Sequence, residues 1–188
     1  MKQLEHQKSV GWFKLAEFIA RGEKERALGI YKLLALSIND TAFTYQLEGD
    51  ILLAFEDQQA SAKYFQAAEH YLKQHNVAAA IGTLNHLVIL TPENLQAWDL
   101  LTTLYIEHYL PKITIHLRNL VNNQQLTNAQ KCVELAIVKH QQNNSSGELT
   151  NLLAEIAKLN TELHNFALQV IKPWRQNVQL VTLLCSAA

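Results

Sequence analysis

The sequence predicts an all-α protein built from helical hairpins, on the strength of three observations. Apolar side chains recur at the i, i+3, i+4, i+7 spacing of amphipathic helices, and no segment alternates with period two for long. Only 3 Pro and 6 Gly occur among 188 residues, so few positions interrupt a helix. Polar breaks come at short intervals, and such short loops make neighbouring helices pack antiparallel.

The breaks define ten predicted helices. Arg21-Gly22 ends the first, and Asn39-Asp40 offers an N-cap to the third. Thr91 to Asn94 separates the fifth from the sixth around Pro92, with Thr91 and Asn94 as capping candidates for the sixth. Ser145 and Glu148 have the spacing of a capping box. The predicted helices span 11–21, 24–38, 41–55, 58–74, 77–90, 95–109, 112–122, 127–141, 147–171 and 174–185.

Composition narrows the class of partner and compartment. The net charge of −1 gives no basic excess to neutralise a phosphate backbone, so we expect no nucleic-acid partner. The two cysteines, Cys132 and Cys185, form no CxxC, which fits free thiols in a reducing, cytoplasmic compartment. Residues 1–10 form a polar N-terminal tail without a signal-peptide h-region, and no apolar run reaches the length of a membrane span.

No catalytic motif stands out, so we expect no enzyme activity, no cofactor and no metal. The eight histidines never pair at i,i+3 or i,i+4, as an HExxH site requires, and each is expected at the surface or half-buried. There is no G-x-S-x-G elbow, GxGxxG or Walker motif. Cys132 lies among apolar helical positions, where a buried thiol is inert.

Two half-motifs recur along the first part of the chain. A first-helix pattern of large and small residues occurs around Trp98 and Tyr105, more loosely from Trp12, and again from Tyr45. A second-helix pattern, a small residue four before a large one, occurs at Ala27/Tyr31, Ser61/Phe65 and Ala80/Leu84, the last followed by Pro92. Small residues let a neighbouring ring approach closely, and one hairpin alone cannot bury both of its faces.

These half-motifs resemble the tetratricopeptide repeat (TPR) family, whose repeat is a 34-residue helix pair. The resemblance covers 11–109 and implies a TPR-like right-handed superhelix, an α-α hairpin solenoid; 110–188 are expected to be degenerate repeats or a C-terminal capping helix pair. Ser61 to Ala80 is only 19 residues, so the frame stays open after about residue 60. Helix 58–74 fits either the second helix of one pair or the first of the next.

The predicted long helix 147–171 carries its own heptad. Its apolar residues alternate in steps of three and four, as in the a/d seam of a coiled coil. They are Leu149, Leu152, Ile156, Leu159, Leu163, Phe166 and Val170. We expect a helix that caps the stack; the alternative is the seam of a homodimer.

The resemblance implies a scaffold or adaptor that binds another protein or a peptide segment in a groove lined by the first helix of each pair. The alternative is a small bacterial secretion-type chaperone holding one client, and an enzyme is a distant third class. The implied partner-binding residues are Phe13, Lys14, Glu17, Arg21, Phe43, Gln46, Asp50, Leu53, Gln96, Asp99, Thr103 and Glu107. Repeats of this family that clamp acidic chaperone tails use a K-x-x-G-N-like pattern, which Lys14 does not begin.

The groove is expected to carry a net negative charge at one end. Residues 41–60 carry Glu48, Asp50, Glu56 and Asp57 with no Lys or Arg, whereas 111–140 are basic. A partner segment with apolar anchors and basic residues would suit the acidic end, and charge reversal at Glu48 and Asp50 would then slow association.

Overall fold

The structure is a computed structural model that describes the backbone of residues 2–185 and the side chains of residues 10–173. Within this part of the chain it contains ten α-helices, one short 3₁₀ turn at Leu110–Lys112 and no strand. The all-α prediction is therefore confirmed. The helices are α1 Lys2–Ala20, α2 Lys24–Ala35, α3 Thr41–Ala54, α4 Gln59–Lys73, α5 Val77–Leu90, α6 Leu95–His108, α7 Ile113–Asn122, α8 Leu126–Gln142, α9 Ser146–Leu159 and α10 Thr161–Cys185.

Both ends of the chain differ from the prediction. Helix α1 already begins at Lys2, so residues 2–10 are helical and the predicted N-terminal tail was wrong. The helix predicted over 147–171 is also wrong, because the chain leaves helical geometry at Asn160, with φ −159° and ψ 123°. The Asn160 carboxamide then accepts a hydrogen bond from the Leu163 N–H at 2.8 Å and caps α10.

The break removes the basis for a homodimer through helix 147–171. A continuous seam needs an uninterrupted helix, and the strongest heptad residues pack inside the protein instead. Leu152, Ile156 and Leu163 are each at most 3% exposed. Helix α10 runs on through Pro173, so the predicted separate helix 174–185 is part of it, although the side chains from residue 174 onward lie outside the described residues.

Five helices end in the same way, with one residue in the left-handed region. At the end of α3, the Glu56 N–H bonds to the Leu53 carbonyl and the Asp57 N–H to the Leu52 carbonyl, both at 2.9 Å. This pair of bonds is a Schellman motif, which satisfies carbonyls that a helix end leaves open. The left-handed residues are Gly22, Glu56, His75, Gln124 and Asn144, with φ between 53° and 73°.

Helix starts show which capping predictions hold. The Asp40 carboxylate accepts from the Phe43 N–H at 3.1 Å, and Asn94 accepts from the Ala97 N–H at 3.0 Å, both as expected. Ser145 makes no side-chain cap to α9, so the predicted capping box was wrong. Its hydroxyl is bonded to His140 instead.

The chain divides into two compact units, Met1–Ala97 and Trp98–Ala188. The core of the first confirms that small residues admit large rings. A Cβ at Gly49 would lie 3.2 Å from the ring of Tyr64, which is 1% exposed. The buried small/large pair of α4 is Ala60/Tyr64, whereas Ser61 and Phe65 are half-buried. The predicted register was one residue off, because the turn after α3 sets which residues of α4 face inward.

The second unit is built around Trp98, which is fully buried. The ring of His116 stacks on Tyr105 at 4.9 Å and lies 6.0 Å from Trp98. The Thr102 hydroxyl is 2.9 Å from its Nε2, while its buried Nδ1 has no partner among the described residues. Burial lowers the pKa of His116 to about 4.

Two further predictions about single residues have clear outcomes. His116 and His140 are 0% and 3% exposed, so the expectation that every histidine is exposed or half-buried was wrong. Cys132 is a fully buried free cysteine, as expected, and burial raises the pKa of its thiol, which leaves it inert. None of the described helices is both long and apolar enough to cross a bilayer.

Candidate partner-binding surface

The predicted partner-binding residues fall in both units. Phe13, Lys14, Glu17 and Arg21 lie on α1, and Phe43, Gln46, Asp50 and Leu53 lie on α3, all in the first unit. Of the α6 residues, Gln96 belongs to the first unit, and Asp99, Thr103 and Glu107 belong to the second. Each set is therefore considered by itself.

On α1 the predicted residues comprise one exposed ring, one exposed lysine and an ion pair. Phe13 is 73% exposed, and Lys14 is exposed next to it. Glu17 and Arg21 form an i,i+4 ion pair at 2.5 Å. Because the two charges largely cancel, a partner would meet little net field from them.

On α3 the predicted residues share one side and are joined by tyrosines from α4. The steps from Phe43 to Gln46, Asp50 and Leu53 are three, four and three residues, so the four side chains follow one helix face. The Tyr64 hydroxyl donates to Asp50 Oδ1 at 2.6 Å. The Tyr71 hydroxyl donates to Gln46 Oε1 at 2.8 Å.

The two tyrosines place a buried ring behind a polar tip. Their side chains are 1% and 8% exposed, whereas Asp50 is exposed and Gln46 half-buried. Burial raises the pKa of Tyr64, and the Asp50 carboxylate adds to the rise, so the phenol stays protonated and keeps donating. The hydroxyls therefore fix the orientation of two side chains that a partner could reach.

Helix α5 completes this surface through His86. Its ring meets the Tyr64 ring edge-on, with centroids 4.9 Å apart and planes at 79°. His86 belongs to an exposed stripe of α5 that also contains Ala78, Gly82 and Ile89. A Cβ at Gly82 would meet no atom within 4 Å, so the backbone there is open to close approach. We call Gln46, Asp50, Tyr64, Tyr71 and His86 the tyrosine face.

Asp50 and Glu48, grouped by sequence as acidic groove residues, differ in their electrostatic surroundings. Glu48 is paired with Lys63 at 3.1 Å and accepts from the Tyr31 hydroxyl at 3.3 Å. No lysine or arginine among the described side chains lies within salt-bridge distance of Asp50. Reversing Glu48 would break an internal pair, so Asp50 alone tests the predicted acidic end.

Asp57 is also neutralised inside the protein, through an ion pair with Lys24 on α2. That hydrogen bond lowers the pKa of the Asp57 carboxyl. Of the four acidic residues in 41–60, two thus have a lysine partner, and Asp50 is the one that lies on the tyrosine face. The acidic character that composition indicated is therefore left to Asp50 and to Glu56, which is exposed in the turn after α3.

The α6 residues of the second unit are solvent-exposed and locally paired. Asp99 bonds to Lys131 of α8 at 2.9 Å, with both side chains about half exposed, and the Thr103 hydroxyl donates to the Asp99 carbonyl at 3.0 Å. An exposed pair of this kind contributes about 0.2–1 kcal/mol. These residues offer no arrangement comparable to the tyrosine face.

Sequence reasoning did not single out Tyr64, Tyr71 or His86. The i, i+7 spacing of the tyrosines is that of a core stripe and both rings are buried, and only the hydrogen bonds of their hydroxyls connect them to the partner-facing residues Asp50 and Gln46. Among the described residues no group of three or more His, Cys, Asp or Glu side chains could hold a metal ion. No family model matches the chain, and no curated protein matches it either.

Proposed function

We propose that the first unit is a TPR-like hairpin solenoid that binds a peptide segment of another protein across the tyrosine face. The observation that carries the proposal is the state of Asp50. Its carboxylate is exposed, has no cationic partner among the described side chains, and is held by a buried tyrosine at 2.6 Å. A carboxylate oriented in advance loses little conformational entropy when an arginine or lysine binds it.

The face supplies both kinds of hydrogen-bonding group. The Tyr64 hydroxyl engages Asp50 Oδ1, so Oδ2 of the same exposed carboxylate can accept a bond from a peptide N–H or from a basic side chain. Gln46 accepts from Tyr71 through Oε1, which leaves its amide N–H groups as donors towards a peptide carbonyl. This mixture suits a peptide backbone, which presents donors and acceptors together.

Apolar side chains flank the polar centre. Phe43 is 40% exposed on the same side of α3 as Asp50, and Ile89 is 72% exposed on the stripe of α5 that contains His86. A segment with one basic residue between apolar anchors would cover both. Such anchors carry most of the affinity in peptide recognition, while the charge pair sets orientation and specificity.

Selection from a random peptide library on the full-length protein tests this function. We expect the selected peptides to contain Arg or Lys between apolar residues, and Asp50→Lys to weaken their binding by about tenfold or more, since like charges repel. Glu69→Lys is the matched control, because Glu69 lies on the exposed, opposite side of α4. Peptides without a basic residue, or equal losses in the two variants, would reject the proposal.

A further inference from the structure

A cleft of about 290 Å³ opens in the second unit, between the start of α7, the end of α8 and the first half of α9. Its walls combine apolar side chains, including Leu110 and Leu152, with the polar groups of His140, Glu148 and Glu155. A recess with apolar walls and a few convergent polar groups is the usual form of a small-ligand site.

The contacts of Nδ1 favour one tautomer of the His140 ring. The Ser145 hydroxyl lies 3.1 Å from the backbone carbonyl of His140, to which it can only donate. Its oxygen also lies 3.0 Å from Nδ1, and with the hydroxyl hydrogen on the carbonyl this oxygen accepts from a proton on Nδ1. Glu148 Oε2, 3.5 Å from the same nitrogen, favours a proton there as well.

The other ring nitrogen, Nε2, is then an acceptor that no described side chain uses. His140 is only 3% exposed and lines the cleft. Burial lowers the pKa of His140, which keeps the ring neutral and Nε2 unprotonated. Nε2 is not among the fully buried polar atoms that lack a partner, so it keeps some access to solvent, and a donor bound in the cleft can take the place of water there.

One carboxylate of the cleft, that of Glu148, adds negative charge that no lysine or arginine offsets. Glu148 is 60% exposed, and among the described side chains the His140 ring is the basic group within salt-bridge distance of it. Glu155 is paired with Lys158 at 2.8 Å, and Arg118 also lowers the pKa of its carboxyl, so its charge is largely cancelled. The cleft therefore presents a neutral acceptor, one unpaired carboxylate and aliphatic carbon.

We propose that this cleft binds an organic cation that carries N–H donors, an alkylammonium or alkylguanidinium. The head group donates to His140 Nε2 and to the carboxylate of Glu148, and the aliphatic stem lies against Leu110 and Leu152. An ammonium or guanidinium matches several acceptors at once, whereas an anion would meet only like charge.

Calorimetric titration of the full-length protein with agmatine and with butylammonium tests the site. Both are expected to bind, while butyrate, an anion, and butyltrimethylammonium, which has no N–H, are expected to bind at least about fivefold more weakly. Glu148→Gln should weaken agmatine binding by about fivefold or more. The matched control Glu134→Gln, at an exposed position of α8, should leave it unchanged.

A nitrogen NMR spectrum of the histidine side chains gives a second readout that does not depend on a variant. The His140 Nε2 resonance should be that of an unprotonated nitrogen and should move when agmatine is added. A proton on Nε2 in the free protein would overturn the proposal. So would equal binding of butyltrimethylammonium, an unaltered affinity in Glu148→Gln, or no binding of either amine up to about 20 mM.

The same chemistry could come from a free amine or from an arginine side chain of a protein. A peptide blocked at both ends, with one arginine between glycines, separates these sources when compared with agmatine. Tighter binding of agmatine assigns the cleft to a free small molecule, and tighter binding of the peptide assigns it to a protein side chain.

Discussion

Lowering the pH should destabilise the second unit through His116, well before any carboxylate is protonated. The ring is fully buried, it stacks on Tyr105, and burial lowers its pKa from 6.5 to about 4. The unfolded chain takes up a proton below about pH 6.5, whereas the folded protein does not until about pH 4. The stability that depends on neutral His116 is therefore complete above pH 6.5 and is lost as the pH falls towards 4.

The two pKa values set the size of the effect. Between pH 7.5 and pH 5 the free energy of unfolding should fall by about 2 kcal/mol, and by about 3 kcal/mol once the pH is below 4. Asp40, Asp57 and Glu155 have lowered pKa values, and as carboxyls they lose their stabilisation only below their unfolded values of 3.8 to 4.5. Between pH 7 and pH 5 the change in the free energy of unfolding therefore comes from the histidines and not from these carboxyls.

Urea unfolding followed by tryptophan fluorescence measures this effect. Trp98 lies 6.0 Å from His116, so with Trp12 and Trp174 changed to Phe its emission reports the second unit. His116→Gln can still bond to Thr102 but does not titrate. Between pH 7.5 and pH 5 the free energy of unfolding should therefore fall by about 2 kcal/mol less in the variant than in the unaltered protein. The pKa of His140 is also lowered, but His140 is present in both proteins, so its contribution cancels. Equal pH dependence in the two proteins would refute the burial of a neutral His116.

Two further predictions concern stability at neutral pH. Trp98→Ala should lower the free energy of unfolding by about 3–5 kcal/mol, because it empties a fully buried site; the same change at Trp12, which is 38% exposed, should cost less than half as much in urea unfolding. Glu56→Gly should raise the free energy of unfolding by about 0.5–1 kcal/mol, because Glu56 is held at φ 54°, where a side chain is strained. Gln66→Gly, at an exposed position inside α4, should lower it by about 1 kcal/mol, and a loss at both positions would mean that the turn after α3 is misplaced.

The sequence was sufficient for the helices whose ends carry strong local signals. Asp40 and Asn94 are good N-caps, and both cap their helices as predicted. Glycine at residue 22 gave the end of α1. The helix ends at Glu56 and His75 are left-handed without a glycine. The polar residues there predicted that the helices end, but they did not predict the turn geometry. The turn at Glu56 sets the register of α4.

The break at Asn160 was missed for a different physical reason. The a/d pattern continues across it, because Ile156 before the turn and Leu163 after it are both buried. An asparagine followed by Thr161 and Glu162 is a helix-start signal, but the apolar periodicity outweighed it. Periodicity reports which side faces the core and is insensitive to a short turn that keeps that side inward.

The tyrosine face could not have been assembled from the sequence, because it depends on contacts between helices. Asp50 and Glu48 are indistinguishable as acidic residues of one helix, yet one is held by Tyr64 and the other is neutralised by Lys63. The His140 cleft likewise depends on Ser145 bonding to His140, where the spacing with Glu148 had indicated a cap. In both sites, hydrogen bonds between residues that are distant or unpatterned in the sequence determine which side chains can bind a partner.

The most direct test of peptide binding at the tyrosine face is a double-mutant cycle between Asp50 and the basic residue of a selected peptide. Affinities are measured by calorimetry for Asp50→Asn and for a peptide with that basic residue changed to Gln, separately and together. We expect a coupling energy of about 1 kcal/mol or more. A coupling energy within about 0.3 kcal/mol of zero would contradict the contact and the function built on it.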